Sequence, residues 1–137
     1  MRSVIGLVVS LIFVPFAAMS ADLTVQVSGI KSDKGRIGCS LHLSGDTFPM
    51  GKSALQLWQP AQKGKVACVF NNVSPGMYAV AVSHDLNENG MTDTNFLGIP
   101  KEDWGVSNNV RPTMRAPTFD EAKFQFPNAN SIEINID

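Results

Sequence analysis

The chain has 137 residues, 44 % of them hydrophobic and 17 % charged, with 11 basic against 12 acidic side chains and a formal net charge of −1. That length leaves room for one hydrophobic core and too little for two. The near balance of interspersed charge selects neither nucleic acid nor an anionic membrane surface as a partner.

Residues 1–21 read as a secretory signal: Arg2 supplies the positive end, Val4 to Phe16 the apolar segment, and Ala18-Met19-Ser20-Ala21 the small-residue cleavage region. Cutting after Ser20 puts Ala18 and Ser20 at the minus-3 and minus-1 positions; cutting after Ala21 puts the less usual Met19 at minus-3. The competing reading is an uncleaved anchor, which Gly6, Pro15 and the small-residue end disfavour. No cysteine follows the cut, which argues against a lipoprotein anchor. The expectation is a periplasmic or secreted protein with no stable membrane insertion after cleavage, and residues 22–137 forming a single domain.

Leu23, Val25 and Val27 alternate with Thr24, Gln26 and Ser28, the period-two pattern of a strand with one wet face. After a turn at Lys31 to Gly35, the pattern resumes with Ile37, Cys39, Leu41 and Leu43 inward and Gly38, Ser40, His42 and Ser44 outward. A loop runs from Gly45 to about Ser53, and Leu55, Leu57 and Trp58 then suggest a short strand or edge segment. From Lys65 to Phe70, Val66, Cys68 and Phe70 share a face. Cys39 and Cys68 therefore both point inward in a chain bound for an oxidising compartment, and a disulfide between them is expected. Closing a loop of about 30 residues would contribute roughly 3.5 kcal/mol. Two buried free thiols remain the alternative, since a bridge needs Cα atoms within about 7 Å.

Asn71 to Gly76 breaks the run, and Met77 to Ser83 is apolar on both faces, which predicts a central strand. Asp85 to Met114 is rich in Asn, Asp, Gly and Pro, carries Phe96 and Trp104, and has no sustained period; such segments are commonly functional or ligand-held. Pro100 can open a helical turn through Trp104, and Thr118-x-x-Glu121 is a capping-box pattern before a strand-like Phe124 to Phe126. Ile132, Ile134 and Ile136 alternate as a final strand. The fold class is all-β: an antiparallel β-sandwich with one long irregular loop and one or two short helical turns.

The most informative stretch is His84-Asp85-Leu86-Asn87-Glu88-Asn89-Gly90-Met91-Thr92-Asp93. Asp85, Asn87 and Asn89 put oxygens at alternate positions, Gly90 permits a sharp turn, the Met91 carbonyl can coordinate, and Asp93 can do so directly or through water. D-x-N-x-N-G-x-x-D thus matches the first nine positions of an EF-hand-type calcium loop. The twelfth position carries Phe96 in place of the bidentate Glu, and a strand precedes the loop, so it is not an EF-hand. Two aspartates and two neutral amides, with Glu88 pointing away, predict weak binding, with a dissociation constant of about 10⁻⁴ to 10⁻³ M. The plainer reading is a turn made by turn-forming residues without metal.

His84 beside Asp85 offers a general base and supports the alternative of a small hydrolase at the loop mouth. Against it, His84 continues the Tyr78, Val80, Val82 face, His42 sits on a polar strand face, and no Gly-x-Ser-x-Gly context exposes a nucleophile. Two histidines build no typical catalytic zinc site without a placed carboxylate. Trp104, Phe96, Arg111 and Arg115 could form a recognition surface or simply anchor the loop. Asn72-Val73-Ser74 is formally a sequon, but Pro75 follows it and the signal looks bacterial.

Ser74-Pro75-Gly76-Met77-Tyr78-Ala79-Val80, the Asp85 loop, Asn95-Phe96-Leu97-Gly98-Ile99-Pro100, Trp104-Gly105-x-Ser107-Asn108-Asn109 and Ala116-Pro117-x-Phe119 together resemble the DUF2141 family of exported bacterial proteins. The resemblance covers essentially all of residues 22–137. It implies a transthyretin-like, or prealbumin-like, β-sandwich and transfers no catalytic residues. The combined expectation is a non-enzymatic binding or accessory module of the envelope, with a protein or glycan partner and calcium as the only candidate cofactor.

Overall fold

The computed structural model describes residues 6, 8–15, 19–45, 47–93 and 100–137. Arg2, Phe16 and Ala18 of the leader, and Phe96 with the rest of the 95–99 stretch of the family motif, lie outside the described residues. No helix among the described residues is long and apolar enough to cross a membrane.

The period-two pattern becomes strands β1 (Ala21–Ile30), β2 (Arg36–His42), β3 (Leu55–Pro60), β4 (Gly64–Val73) and β5 (Gly76–Asp85). Then follow β6 (Trp104–Val106), a 3-10 turn (Ser107–Asn109), helix α1 (Phe119–Ala122), β7 (Phe124–Phe126) and β8 (Ser131–Asn135). They form a three-stranded sheet in the order β4-β1-β8 and a second sheet in the order β3-β2-β5-β6, with β7 also pairing to β5. Alternate residues of both sheets meet in one core that includes Leu23, Val25, Val27, Ile37, Leu41, Phe70, Val80, Val82 and Ile134. The all-β sandwich expected from the alternation is the one that forms, and β5 is its central strand. Cys39 and Cys68 are bridged between the sheets with Cα atoms 6.5 Å apart, within the span a disulfide allows.

One pairing departs from the antiparallel expectation. β8 runs parallel to β1, with Val25 opposite Ile132 and Val27 opposite Ile134. Alternation encodes which face of a strand is buried and carries no information about its direction. Here β7 lies on the β5 sheet and β8 on the other, so the chain crosses between sheets before it reaches the free edge of β1.

Several local expectations are also corrected. The break expected after Asn71 is a bulge: β4 continues to Val73, Asn72 takes a positive φ of 55°, and its N–H donates to Asp22 Oδ1 at 3.1 Å. No helical turn runs from Pro100 to Trp104. Trp104 instead opens β6, because the 104–106 backbone pairs with Ala81 to Ser83, and the helical turn falls at 107–109. The capping box at Thr118 forms as read, with reciprocal hydrogen bonds to Glu121.

The inward and outward assignments fail at the end of β2, where Leu43 is 60 % exposed and His42 only 1 %. The outer face of the larger sheet is roofed there. Phe48 packs edge-on against the His42 ring at 5.3 Å and against Phe119 at 6.2 Å, and Ala79, Val106 and Ala122 complete a second small core. That roof explains why β5 is apolar on both faces.

Ser107, Asn108 and Asn109 join three elements through their side chains. Ser107 Oγ accepts from the Val80 N–H at 3.0 Å and donates to the Ala122 carbonyl at 2.6 Å. Asn108 Nδ2 donates to the carbonyls of Glu121 and Lys123 at 3.1 and 3.0 Å. Asn109 pairs with the β8 edge as another strand would, donating to Glu133 O at 3.2 Å and accepting from Asn135 N at 2.9 Å. Both asparagines have left-handed backbones, with φ of 62° and 51°, which Asn tolerates better than most residues.

Replacing Asn109 by Ala removes both edge bonds and strains the turn; a loss of about 1–2 kcal/mol is expected in denaturant unfolding, with faster exchange of the Asn135 amide. His42 supplies a second prediction. Burial lowers its pKa from the ordinary 6.5, and its Nε2 finds no partner among the described residues. As pH falls below about 6.5 the unfolded chain takes up the proton first, so stability declines with acidification until the folded-state pKa is passed, by no more than about 1.4 kcal/mol per pH unit. His42→Leu should flatten that part of the pH–stability curve.

Candidate functional site

The loop after β5 is wound around the carboxylate of Asp85. This last residue of β5 pairs across the sheet with Arg36, is 1 % exposed, and accepts from Arg36 Nε at 3.2 Å. The same carboxylate accepts the backbone N–H groups of Asn89 at 3.2 Å and Gly90 at 2.9 Å, which fixes the turn. Arg36 Nη2 reaches the Glu88 carbonyl at 3.4 Å. Glu88 and Gly90 take positive φ values of 55° and 78°, and a turn that tight accounts for a glycine at position 90.

Asp93 closes the far side. Asn89 Nδ2 donates to its Oδ1 and Asn87 Nδ2 to its Oδ2, both at 2.8 Å, while Asn89 Oδ1 accepts from Met91 N at 2.9 Å. The Asn89 bond is the main reason that the Asp93 pKa lies below the ordinary carboxylate value, helped by Asn87. The structure therefore brings Asp85, Asn87, Asn89 and Asp93 into one network. Met91 takes part through its N–H, with its side chain 66 % exposed.

Glu102 belongs to the same network and was not singled out in the sequence. It is 7 % exposed and accepts from Leu86 N at 2.6 Å and Asp93 N at 3.0 Å, clasping the two ends of the loop. Its only sequence signal is an acidic side chain, next to Asp103 in the irregular stretch, nine positions beyond Asp93. Among the described residues, no three His, Cys, Asp or Glu side chains are placed together as a metal cage. To face an ion, the amides of Asn87 and Asn89 would have to turn their oxygens inward and release Asp93.

His84 is 2 % exposed. Its Nε2 lies 2.6 Å from the Lys34 carbonyl and its backbone N–H donates to Asp103 O at 2.9 Å. Neither His84 nor Asp85 lines the cavity that Trp104 borders, and both carboxylate oxygens of Asp85 already have donors.

A cavity of about 350 Å³ does lie beside the loop, between the 47–51 turn, β6 and the 112–117 segment. Trp104 and Arg115 border it; Arg111 does not. Arg111 stacks over the Trp104 ring at 4.3 Å, donates to the Trp104 carbonyl and pairs with Asp137 at 3.3 Å, so it braces the indole from behind. Arg115 is held by Glu121 through contacts of 3.0 and 2.7 Å, which bring the Glu121 pKa down to about 2. Of the expected recognition surface, Trp104 and Arg115 thus meet at one cavity, Arg111 is a support, and Phe96 lies outside the described residues.

On the same outer face, Trp58, Gly38, Ser83 and Trp104 form a single cross-strand row. A Cβ on Gly38 would stand 2.6 Å from the Trp58 ring, which is why that position carries no side chain.

Glu102→Ala should cost about 2 kcal/mol, because two backbone donors lose a buried charged acceptor. Amide exchange is expected to accelerate at Leu86 and Asp93 while the protection of β1 and β4 amides keeps its rank order.

No curated protein and no solved structure matches the chain. The family described as "Uncharacterized protein conserved in bacteria (DUF2141)" matches residues 25–135, from within β1 to the end of β8, and the chain belongs to that family.

Proposed function

We propose that the protein is an exported, non-enzymatic binding or accessory module of the bacterial envelope, working through the loop-bordered end of its larger sheet. The observation that carries this reading is the 350 Å³ cavity walled by Trp104 and bordered by Thr92 of the Asp85 loop. Its size and its few polar groups among apolar walls are typical of a ligand site. The disulfide supports an oxidising compartment. Removal of a leader fits the described part of residues 1–20, where Val8, Leu11, Ile12 and Phe13 are each at least 85 % exposed, and the first strand starts at Ala21. Against the hydrolase alternative stands the setting of His84, whose ring is tied to a backbone carbonyl away from the cavity.

A second reading is weak calcium binding by Asp85, Asn87, Asn89, the Met91 carbonyl and Asp93, which share one hydrogen-bonded loop. Glu102 holds the two ends of that loop through the Leu86 and Asp93 N–H groups.

Two experiments test these readings. With a photo-crosslinking residue at Met50 in the exported protein, an envelope protein or glycan should be captured in calcium-replete medium; recovery at background level only would remove the basis of the binding-module reading. In the melt, calcium at ten times its dissociation constant should stabilise by about 1.4 kcal/mol, a rise of several degrees, absent in Asp93→Asn and Glu102→Gln. An unchanged melting temperature at millimolar calcium would reduce the loop to a hydrogen-bonded turn.

A further inference from the structure

Among the described residues, the cavity beside Trp104 has one charged lining residue, Arg115, and Glu121 takes that guanidinium through two contacts. A carboxylate or phosphate ligand would have to compete with Glu121 for this guanidinium, and an ammonium ligand would meet no acid among the described lining residues. The walls are apolar, made by the half-buried Trp104 indole with Pro49 and Pro117. Since Arg111 covers one face of the indole from outside the cavity, the ring is fixed in place and turns its remaining surface inward.

The polar groups on the wall are hydroxyls. Ser83, Thr92 and Thr113 line the cavity, and none of them makes a side-chain hydrogen bond among the described residues. No described residue competes for these hydroxyls, which can donate to or accept from a guest. The space of about 350 Å³ corresponds to roughly a dozen water volumes at ~30 Å³ each. That is too little for a helix about 10 Å across and suits one ring with a substituent.

The rim adds an independent sign. Met50 is 57 % exposed and Met114 is 90 % exposed, and Met114 holds a left-handed backbone with φ of 61°. A large apolar side chain kept in water on an unfavourable backbone gains nothing from the fold. Flexible thioethers at a cavity mouth can cover an apolar guest.

We propose that this cavity binds a small neutral molecule built on a single ring, its flat face against Trp104 and a hydroxyl or amide directed at Ser83, Thr92 and Thr113. The inference rests on the binding-module reading and adds the chemical class of the ligand.

The test uses the exported protein with benzyl alcohol as probe and benzoate and benzylamine as charged counterparts of the same ring. Trp58→Phe leaves Trp104 as the one tryptophan, so its fluorescence reports on the cavity wall alone. Saturation-transfer NMR and Trp104 emission should both respond to benzyl alcohol, with the two charged analogues at least tenfold weaker. Met50→Asp, at an exposed rim position, should weaken binding about tenfold without moving the melting temperature, and Trp104→Leu should abolish it. Equal binding of all three probes, tighter binding of benzoate, or no Trp104 response at millimolar benzyl alcohol would each overturn the proposed ligand class. If the Met50 crosslinker captures an envelope component to the same extent with and without benzyl alcohol present before irradiation, the module reading stands and the ligand class falls. Loss of protein capture when benzyl alcohol is present before irradiation would put a partner's aromatic side chain in the cavity and overturn the free small molecule.

Discussion

Strand β5 has no wet face, and most of the architecture answers that constraint. Val80 and Val82 point to the three-stranded sheet, and the disulfide-linked core covers them. Ala79 and Ala81 point the other way, where an ordinary sandwich strand would meet water. Small side chains there let a second layer approach closely, and the 47–51 turn, α1 and the 3-10 turn supply it. The roof is incomplete. It seals the end of the sheet at His42 and stops short of Ser83 and Trp104, which is why a cavity exists on this face at all.

Much of the fold was legible because its signal is local. Alternation located β1, β2, β4 and β8, two inward cysteines implied their bridge, and Thr118 with Glu121 announced a cap. The failures have a common cause. His42 was assigned to solvent because its neighbours alternate with apolar residues, yet its burial depends on Phe48 and Phe119, which lie on separate segments of the chain. The direction of β8 and the start of β6 at Trp104 are likewise decided by which edges remain free after the other strands have paired. Periodicity along one segment cannot record that.

The candidate loop was legible in part for a related reason. Asp85, Asn87, Asn89 and Asp93 were found together by spacing, and they do share one network. What spacing could not reveal is how their donors and acceptors are distributed: each carboxylate is engaged by amide N–H groups of the loop, and Glu102 enters from beyond the stretch the pattern covers. Such a loop owes its shape to internal hydrogen bonds, so an ion would compete with them for the same oxygens. The Ser107-Asn108-Asn109 run has a comparable lesson. It belongs to the family pattern, and its side chains serve as substitutes for missing backbone pairing.

The Cys39–Cys68 bond and the Asn109 side chain fasten different flanks of the sandwich. The disulfide joins β2 to β4 across the two layers, while Asn109, carried just beyond β6, grips the edge of β8. One fastening is covalent and the other is a pair of hydrogen bonds, so the two layers resist separation unequally. Under a force that parts them, the molecule behaves as a clasped book: the disulfide flank is the spine, the asparagine flank is the opening side, and the first surface uncovered is the strip where Ile134 lies beneath β6.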